Sequence, residues 1–190
     1  SGLHHETYRA RAEGEKRLVY LAQAQNNWDD RLLATSKIRS VEDLKGERII
    51  CHSKAPCVVG NLRAVLQTCG LKESEINTEA IEVPAGRHLE FVDQILSGKA
   101  TAALVDMPFD LYGTKKGLKV VDLPDRPVIH NTTLLCTTDY IKQNEETVIS
   151  FVKGFIEAIH FFKTQPEKVA AILKHNLAKR YGLEDDEYYA

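Results

Sequence analysis

The stretch Cys51-His52-Ser53-Lys54-Ala55-Pro56-Cys57-Val58 places two thiols, an imidazole, a hydroxyl and an ammonium within eight residues. A thiolate nucleophile needs a base, but His52 faces away from Cys51 if the strand before it continues. Zinc needs four ligands with short paired spacings, which the chain lacks. Anion binding asks for less. If a strand precedes the loop and a helix begins near Val58, the first free N–H groups of that helix carry partial positive charge. Ser53 then adds a hydroxyl and Lys54 a charge, for a carboxylate, sulfonate or phosphate. The competing use is structural, with Ser53 capping the helix and Lys54 solvated.

Three further residues have two uses each. Trp28, the single Trp, sits in the polar run Asn26-Asn27-Trp28-Asp29-Asp30, where an indole can stack on a flat ligand or pack across a junction. Asp106 closes an apolar run two residues before Pro108, placed to accept from a ligand amine or hydroxyl or to cap a helix. Arg87 is an anion partner or, more simply, a surface cation. Cys69 and Cys136 read as small buried hydrophobes. Asn131-Thr132-Thr133 satisfies a glycosylation sequon by accident. No catalytic residue, metal or cofactor is assigned.

The elements that must carry these groups follow from periodicity. A polar helix from about His5 to Gly14 leads to a short strand, Leu18–Ala22, and a polar loop. Ser40 to Gly46 is one helical turn, with a capping Ser and a stopping Gly. Arg48–Cys51 reads as a strand, and Val58, Leu62, Val65, Leu66 and Cys69 fall at helical spacing. The unit repeats as strand Ala80–Val83, then a helix on Leu89, Val92 and Leu96. Strand Thr101–Val105, a brief helix from Pro108 towards Lys115 and strand Leu118–Leu123 complete it. This alternation predicts a mostly parallel sheet covered on both faces, from about Leu44 to Pro124, with ligands at the carboxyl ends of its strands. Thr132–Thr137 is a strand that leaves this lobe. Val148, Phe151, Val152, Phe155, Ile159 and Phe162 form an apolar stripe expected to be core, and Thr164-Gln165-Pro166-Glu167 reads as a capping box. These last helices need a second body to cover.

Of the 190 residues 43% are hydrophobic, enough for a real core, and the net charge of -2 offers nothing to recruit nucleic acid or an acidic membrane surface. Apolar runs such as Ala102–Val105 stop far short of the roughly 20 residues of a membrane span. The start, Ser1-Gly2-Leu3-His4-His5-Glu6, lacks an initiating Met and an export signal, and reads as processed or internal. Four cysteines leave the redox compartment open.

Taken together, Ser40-Val41-Glu42-Asp43-Leu44-Lys45-Gly46-Glu47-Arg48-Ile49, Ala102-Ala103-Leu104-Val105-Asp106-Met107-Pro108-Phe109 and Gln165-Pro166-Glu167-Lys168-Val169-Ala170 resemble solute-binding proteins of the alkanesulfonate, nitrate and taurine type. That superfamily also includes the thiamine-pyrimidine synthases. The order matches over roughly Gly2 to Lys174. The resemblance implies an α/β, type II periplasmic-binding-protein-like fold, with one full α/β lobe plus part of a second lobe. Residues 1–43 would be a partial first lobe and crossing, 44–130 the second lobe, and 131–190 a return crossing with C-terminal helices packing on the first lobe. Members carry an earlier strand-helix-strand-helix portion, so this chain alone would expose a broken face. The resemblance also puts His4 and His5 on the cleft side, although adjacent residues rarely both meet one ligand.

The function so implied is the solute-binding component of an ABC-type importer, periplasmic and monomeric. It would take a small anion or heteroaromatic ligand between two lobes and deliver it to a permease, with no nucleic acid and no membrane insertion. The implied ligand-binding set is His4, His5, Trp28, His52, Ser53, Lys54, Cys57, Val58 and Asp106. The rival is an enzyme of the thiamine-pyrimidine-synthase or decarboxylase type on the same frame, for which His4, His5, His52 and Lys54 are the candidates. A third reading is the ligand-sensing domain of a regulator.

Overall fold

The computed structural model describes residues 2–24, 27–53, 56–83, 89–126, 132–184 and 188–189. In chain order the elements are β1 (Gly2–Leu3), α1 (His4–Ala12), β2 (Leu18–Gln23), β3 (Arg31–Ala34), β4 (Arg48–Cys51), α2 (Asn61–Thr68), β5 (Asn77–Ala80) and α3 (Leu89–Leu96). There follow β6 (Ala102–Val105), α4 (Phe109–Lys115), β7 (Lys119–Val121), β8 (Thr132–Thr137), α5 (Thr138–Gln143), α6 (Glu145–Thr164) and α7 (Pro166–Tyr181). Contacts divide the chain into unit 1, Ser1–Trp28 with Pro127–Ala171, and unit 2, Asp29–Arg126 with Ile172–Ala190.

Unit 2 holds a five-stranded sheet in the order β5-β4-β6-β3-β7. Strand β4 runs parallel to β5 and β6, as the strand-helix alternation predicts. The expectation of a mostly parallel sheet misses β3, which lies antiparallel between β6 and β7. Its residues Arg31-Leu32-Leu33-Ala34 show no apolar-polar alternation. The last three are fully buried, because a central strand is covered on both faces and so carries no period of two. β5 forms three residues earlier than expected, at Asn77–Ala80, in register with Arg48–Cys51. There Arg48 Nε reaches Glu79 Oε2 at 2.8 Å, and the guanidinium holds the Glu79 carboxyl below its ordinary pKa.

The pleat sorts the core. Leu33, Ile50, Ala103 and Val105 join Phe91, Val92 and Ile95 of α3, Phe109 of α4 and Leu183 in one cluster, with Tyr181 and Tyr188 packed against it. Their strand neighbours Leu32, Ile49, Cys51, Ala102 and Leu104 are equally buried outside that cluster, as are Leu62, Val65 and Leu66 of α2. Gly113 permits α4 to lie close to β3, since a Cβ there would sit 2.3 Å from Leu33 Cδ2.

Unit 1 is thinner. Its antiparallel sheet runs β1-β8-β2, with Leu18 opposite Thr137, Gln23 opposite Thr133 and an irregularity between Tyr20 and Ala22. Thr137 caps α5, its hydroxyl accepting from the Tyr140 N–H at 3.2 Å. The α6 stripe is a correction: no residue of α6 is buried, and Phe151, Ile159 and Phe162 are 54%, 40% and 59% exposed. The amphipathic pattern is present, but the described residues do not cover it. The expected capping box at Thr164 is also absent, because α6 runs on through Thr164, whose hydroxyl donates to the His160 carbonyl. Cys69 and Cys136 are half-buried rather than buried. Among the described residues no helix is long and apolar enough to cross a membrane.

Candidate functional site

Parallel strands β4 and β6 are paired Ile49 with Ala102 and Ile50 with Ala103. The two strands end at Cys51 and Val105. The loop after β4 and the residue after β6 therefore leave the same end of the sheet, where ligands sit in such folds. His52, Ser53 and Asp106 are all half-buried.

The two cysteines differ from this trio. Cys51 is fully buried, its Sγ 3.6 Å from the carbonyl oxygens of Ser53 and Glu79, which accept from the thiol. Burial pushes its pKa up, against a smaller lowering by the Ser53 backbone, so Cys51 is held as a neutral donor and not as a nucleophile. Cys57 and Val58 are 5% and 2% exposed, core residues that offer a ligand little surface. They belong to a π-helical turn, Pro56–Gly60, that precedes α2. The regular helix thus starts at Asn61, later than expected, with Gly60 rather than Ser53 before it. The Asn61 amide donates to the Cys57 carbonyl at 3.0 Å, tying the turn to the helix. Proline at the head of the turn costs no donor, since the first N–H groups of a helix have no partner inside it.

One residue of this edge escapes sequence reasoning. Asp30, just before β3, is 7% exposed. After burial, its carboxylate is the charge that raises the Cys57 thiol pKa. The last β3–β6 pair is Arg31 with Val105, so Asp30 stands one step beyond, level with Asp106. The signal for it was the run Asp30-Arg31-Leu32-Leu33, an acid immediately ahead of an unassigned strand. Asp110, in the first turn of α4, is likewise 7% exposed, and its Oδ1 has no hydrogen-bond partner among the described residues.

Three more candidates belong to unit 1. His4 and His5 open α1 in unit 1, one residue earlier than the helix was expected to start, and His5 Nε2 lies 3.5 Å from Glu6 Oε1. Trp28, the last residue of the first segment of unit 1, is 7% exposed. Lys54, Arg87 and Asn131 lie outside the described residues. A separate cavity of about 470 Å³ follows edge strand β7, between Lys119 to Asp122, the segment Ile38 to Glu42 and Cys69. No predicted ligand residue lines it. All four cysteines are free, and among the described residues no three His, Cys, Asp or Glu side chains form a metal set.

A family model described as NMT1/THI5 like matches residues 5–169. No curated protein matches. Solved structures do. The periplasmic aliphatic sulphonate binding protein SsuA from Escherichia coli aligns with a TM-score of 0.66 at 20% identity, over 94% of this chain and 59% of its own. The alkanesulfonate-binding protein SsuA from Xanthomonas axonopodis pv. citri, bound to MOPS, gives 0.62 at 19%, over 95% and 60%. The ligand-binding component of an ABC-type import system from Staphylococcus aureus, with zinc bound, gives 0.71 at 11%, over 100% and 62%. The fold is therefore that of these binding proteins, and the chain spans about three fifths of their length.

Proposed function

The chain belongs to the NMT1/THI5-like family, and we propose that it is part of the solute-binding component of an ABC-type importer. In this reading a small anion or heteroaromatic compound sits in a cleft between two lobes, and its contacts with both stabilise the closed state. Residues 1–43 and 131–190 supply crossings and part of the first lobe, and 44–130 supply most of the second. The protein works outside the cytoplasm as a monomer and hands its cargo to a permease.

The observation that supports the reading is that β4 and β6 run parallel and adjacent, so that the residues following them, Ser53 and Asp106 among them, leave the same end of the sheet. A hydroxyl that donates and a carboxylate that accepts fix the orientation of a ligand without breaking a bond. Calorimetry on the whole protein, with alkanesulfonates, nitrate, carboxylates and pyrimidines as titrants, tests it. One class is expected to bind; Ser53→Ala is expected to weaken that binding about tenfold, the loss of roughly 1.4 kcal/mol, and Asp106→Asn to do the same for a ligand that carries an amine or hydroxyl donor. No heat from any class, or full affinity in both variants, defeats the proposal.

A further inference from the structure

We propose that the cavity beside edge strand β7 is a ligand site separate from the sheet end that carries Ser53 and Asp106, and that it takes a small zwitterion with an apolar body. The inference does not rest on the importer reading.

The register of the sheet sets the two places apart. Lys119 is paired with Ala34, and Ala34 with Ala102, the first residue of β6. These residues mark the amino ends of the parallel strands, whereas Ser53 and Asp106 follow their carboxyl ends. Ile38 to Glu42 come after the last residue of β3 and Cys69 closes α2, and both line the cavity with β7. Its floor is anchored, because Ile38, Val41 and Val121 are 6%, 7% and 7% exposed. Val121 and Lys119 point to one face of β7, opposite the fully buried Leu32 and Ala34. A pre-formed apolar floor ringed by a few polar groups is the usual build of a small-molecule site. The volume of about 470 Å³ is ample for a compound the size of an amino acid.

The charges around that floor choose the ligand. Arg39 and Lys119 are matched by Glu42 and Asp122, so neither a simple anion nor a simple cation is complementary to the whole lining. The two signs are not equally engaged. A hydrogen bond from Ser40, and then one from its own backbone N–H, hold the Glu42 carboxyl below its ordinary pKa. After burial, the Glu42 charge is what pushes the Cys69 thiol up, so this carboxylate stands near the end of α2. The last carbonyls of that helix add partial negative charge, which suits an ammonium group. Among the cations, Arg39 is drawn to Asp43, with Nε 3.9 Å from Oδ2. Lys119 has no ion-pair partner among the described residues and is left for an acid group. The hydrocarbon of the ligand then lies on Ile38, Val41 and Val121.

Calorimetry and amide NMR on the whole protein test the assignment. The probes are leucine and ε-aminohexanoate, whose opposite charges are adjacent or a chain apart, with hexylamine and hexanoate as singly charged controls. One zwitterion is expected to bind and to shift the amides of Glu42, Cys69 and Val121, leaving those of His52, Ser53 and Asp106 in place. Both controls should bind about tenfold more weakly, and Glu42→Gln and Lys119→Met should each weaken the zwitterion by about the same factor. Both side chains are exposed, so neither variant should move the thermal midpoint. Controls that bind as tightly as the zwitterions overturn the inference, as do variants with full affinity. So does the lack of any shift at the cavity residues with millimolar probe, or a shift confined to His52, Ser53 and Asp106.

Discussion

Phe91 of unit 2 and Phe162 of unit 1 each sit on an amphipathic helix, yet one is wholly enclosed and the other 59% exposed. The same contrast runs through both units. Unit 2 layers α3 and α4 over one side of a five-stranded sheet and buries α2 residues outside that layer. In unit 1, by contrast, Trp28 and Val169 are the buried apolar residues among those described. Apolar patterning states what a segment needs, and burial depends on whether its partner layers are present. An α/β sheet supplies its own cover through its crossovers, whereas a three-stranded antiparallel sheet must find it elsewhere.

The strongest way to break this contrast is to truncate both rings. Phe91→Ala should cost about 3–5 kcal/mol in urea denaturation, while Phe162→Ala in the 190-residue chain should cost under about 1 kcal/mol. Comparable losses would mean that the two helices are equally covered in solution. Next in size is Gly113→Ala. The new methyl has nowhere to go beside fully buried Leu33, and about 1–3 kcal/mol should be lost in the same assay. Smaller again, Thr137→Ala removes the α5 cap, and about 1 kcal/mol should be lost in urea denaturation followed by a probe in unit 1.

The smallest effect is electrostatic and belongs to unit 1. Hydrogen bonds from Arg17 hold the Glu15 carboxyl at about 2. Its folded value lies below the unfolded one, so this pair supports folding above the usual carboxylate range and the support disappears as pH falls through about 2. An NMR titration of the Glu15 side chain should show the depressed midpoint in the wild type and its return to the usual range in Arg17→Ala. An unshifted wild-type value would mean that the exposed pair does not persist in solution.

Much of unit 2 was legible from the chain alone, because its strands are short apolar runs and its helices carry apolar residues at regular spacing. Arg48–Cys51 and the strand read at Thr101–Val105 needed nothing else, whereas the helix Leu89–Leu96 was found with its face misplaced: Phe91, Val92 and Ile95 are buried and Leu96 is 45% exposed. β3 was hidden, since four residues after a polar loop give neither alternation nor length. With it went Asp30, whose place at the end of β3 depends on a strand that pairs with residues far along the chain, Ala102 to Val105. The loop from His52 to Val58 was readable as the connection between a strand and a helix. The division within it was not. Ser53 and His52 keep some surface while Cys57 and Val58 are sealed in, because a π-helical turn at Pro56–Gly60 replaces the expected regular start. Exposure of α6 lies beyond any periodicity argument, because an apolar stripe looks the same with or without its neighbour.

Strand β3 enters the middle of its sheet from a point in the chain ahead of every strand it touches. A polypeptide begun at Leu44 would keep all four mutually parallel strands and still be missing the piece that joins β6 to β7. Lys119–Val121 would then have no hydrogen-bonded neighbour, and Leu104 would face an empty lane. Anyone wishing to isolate this half of the molecule must therefore cut before Asp29 and not at the point where the strand-helix alternation begins.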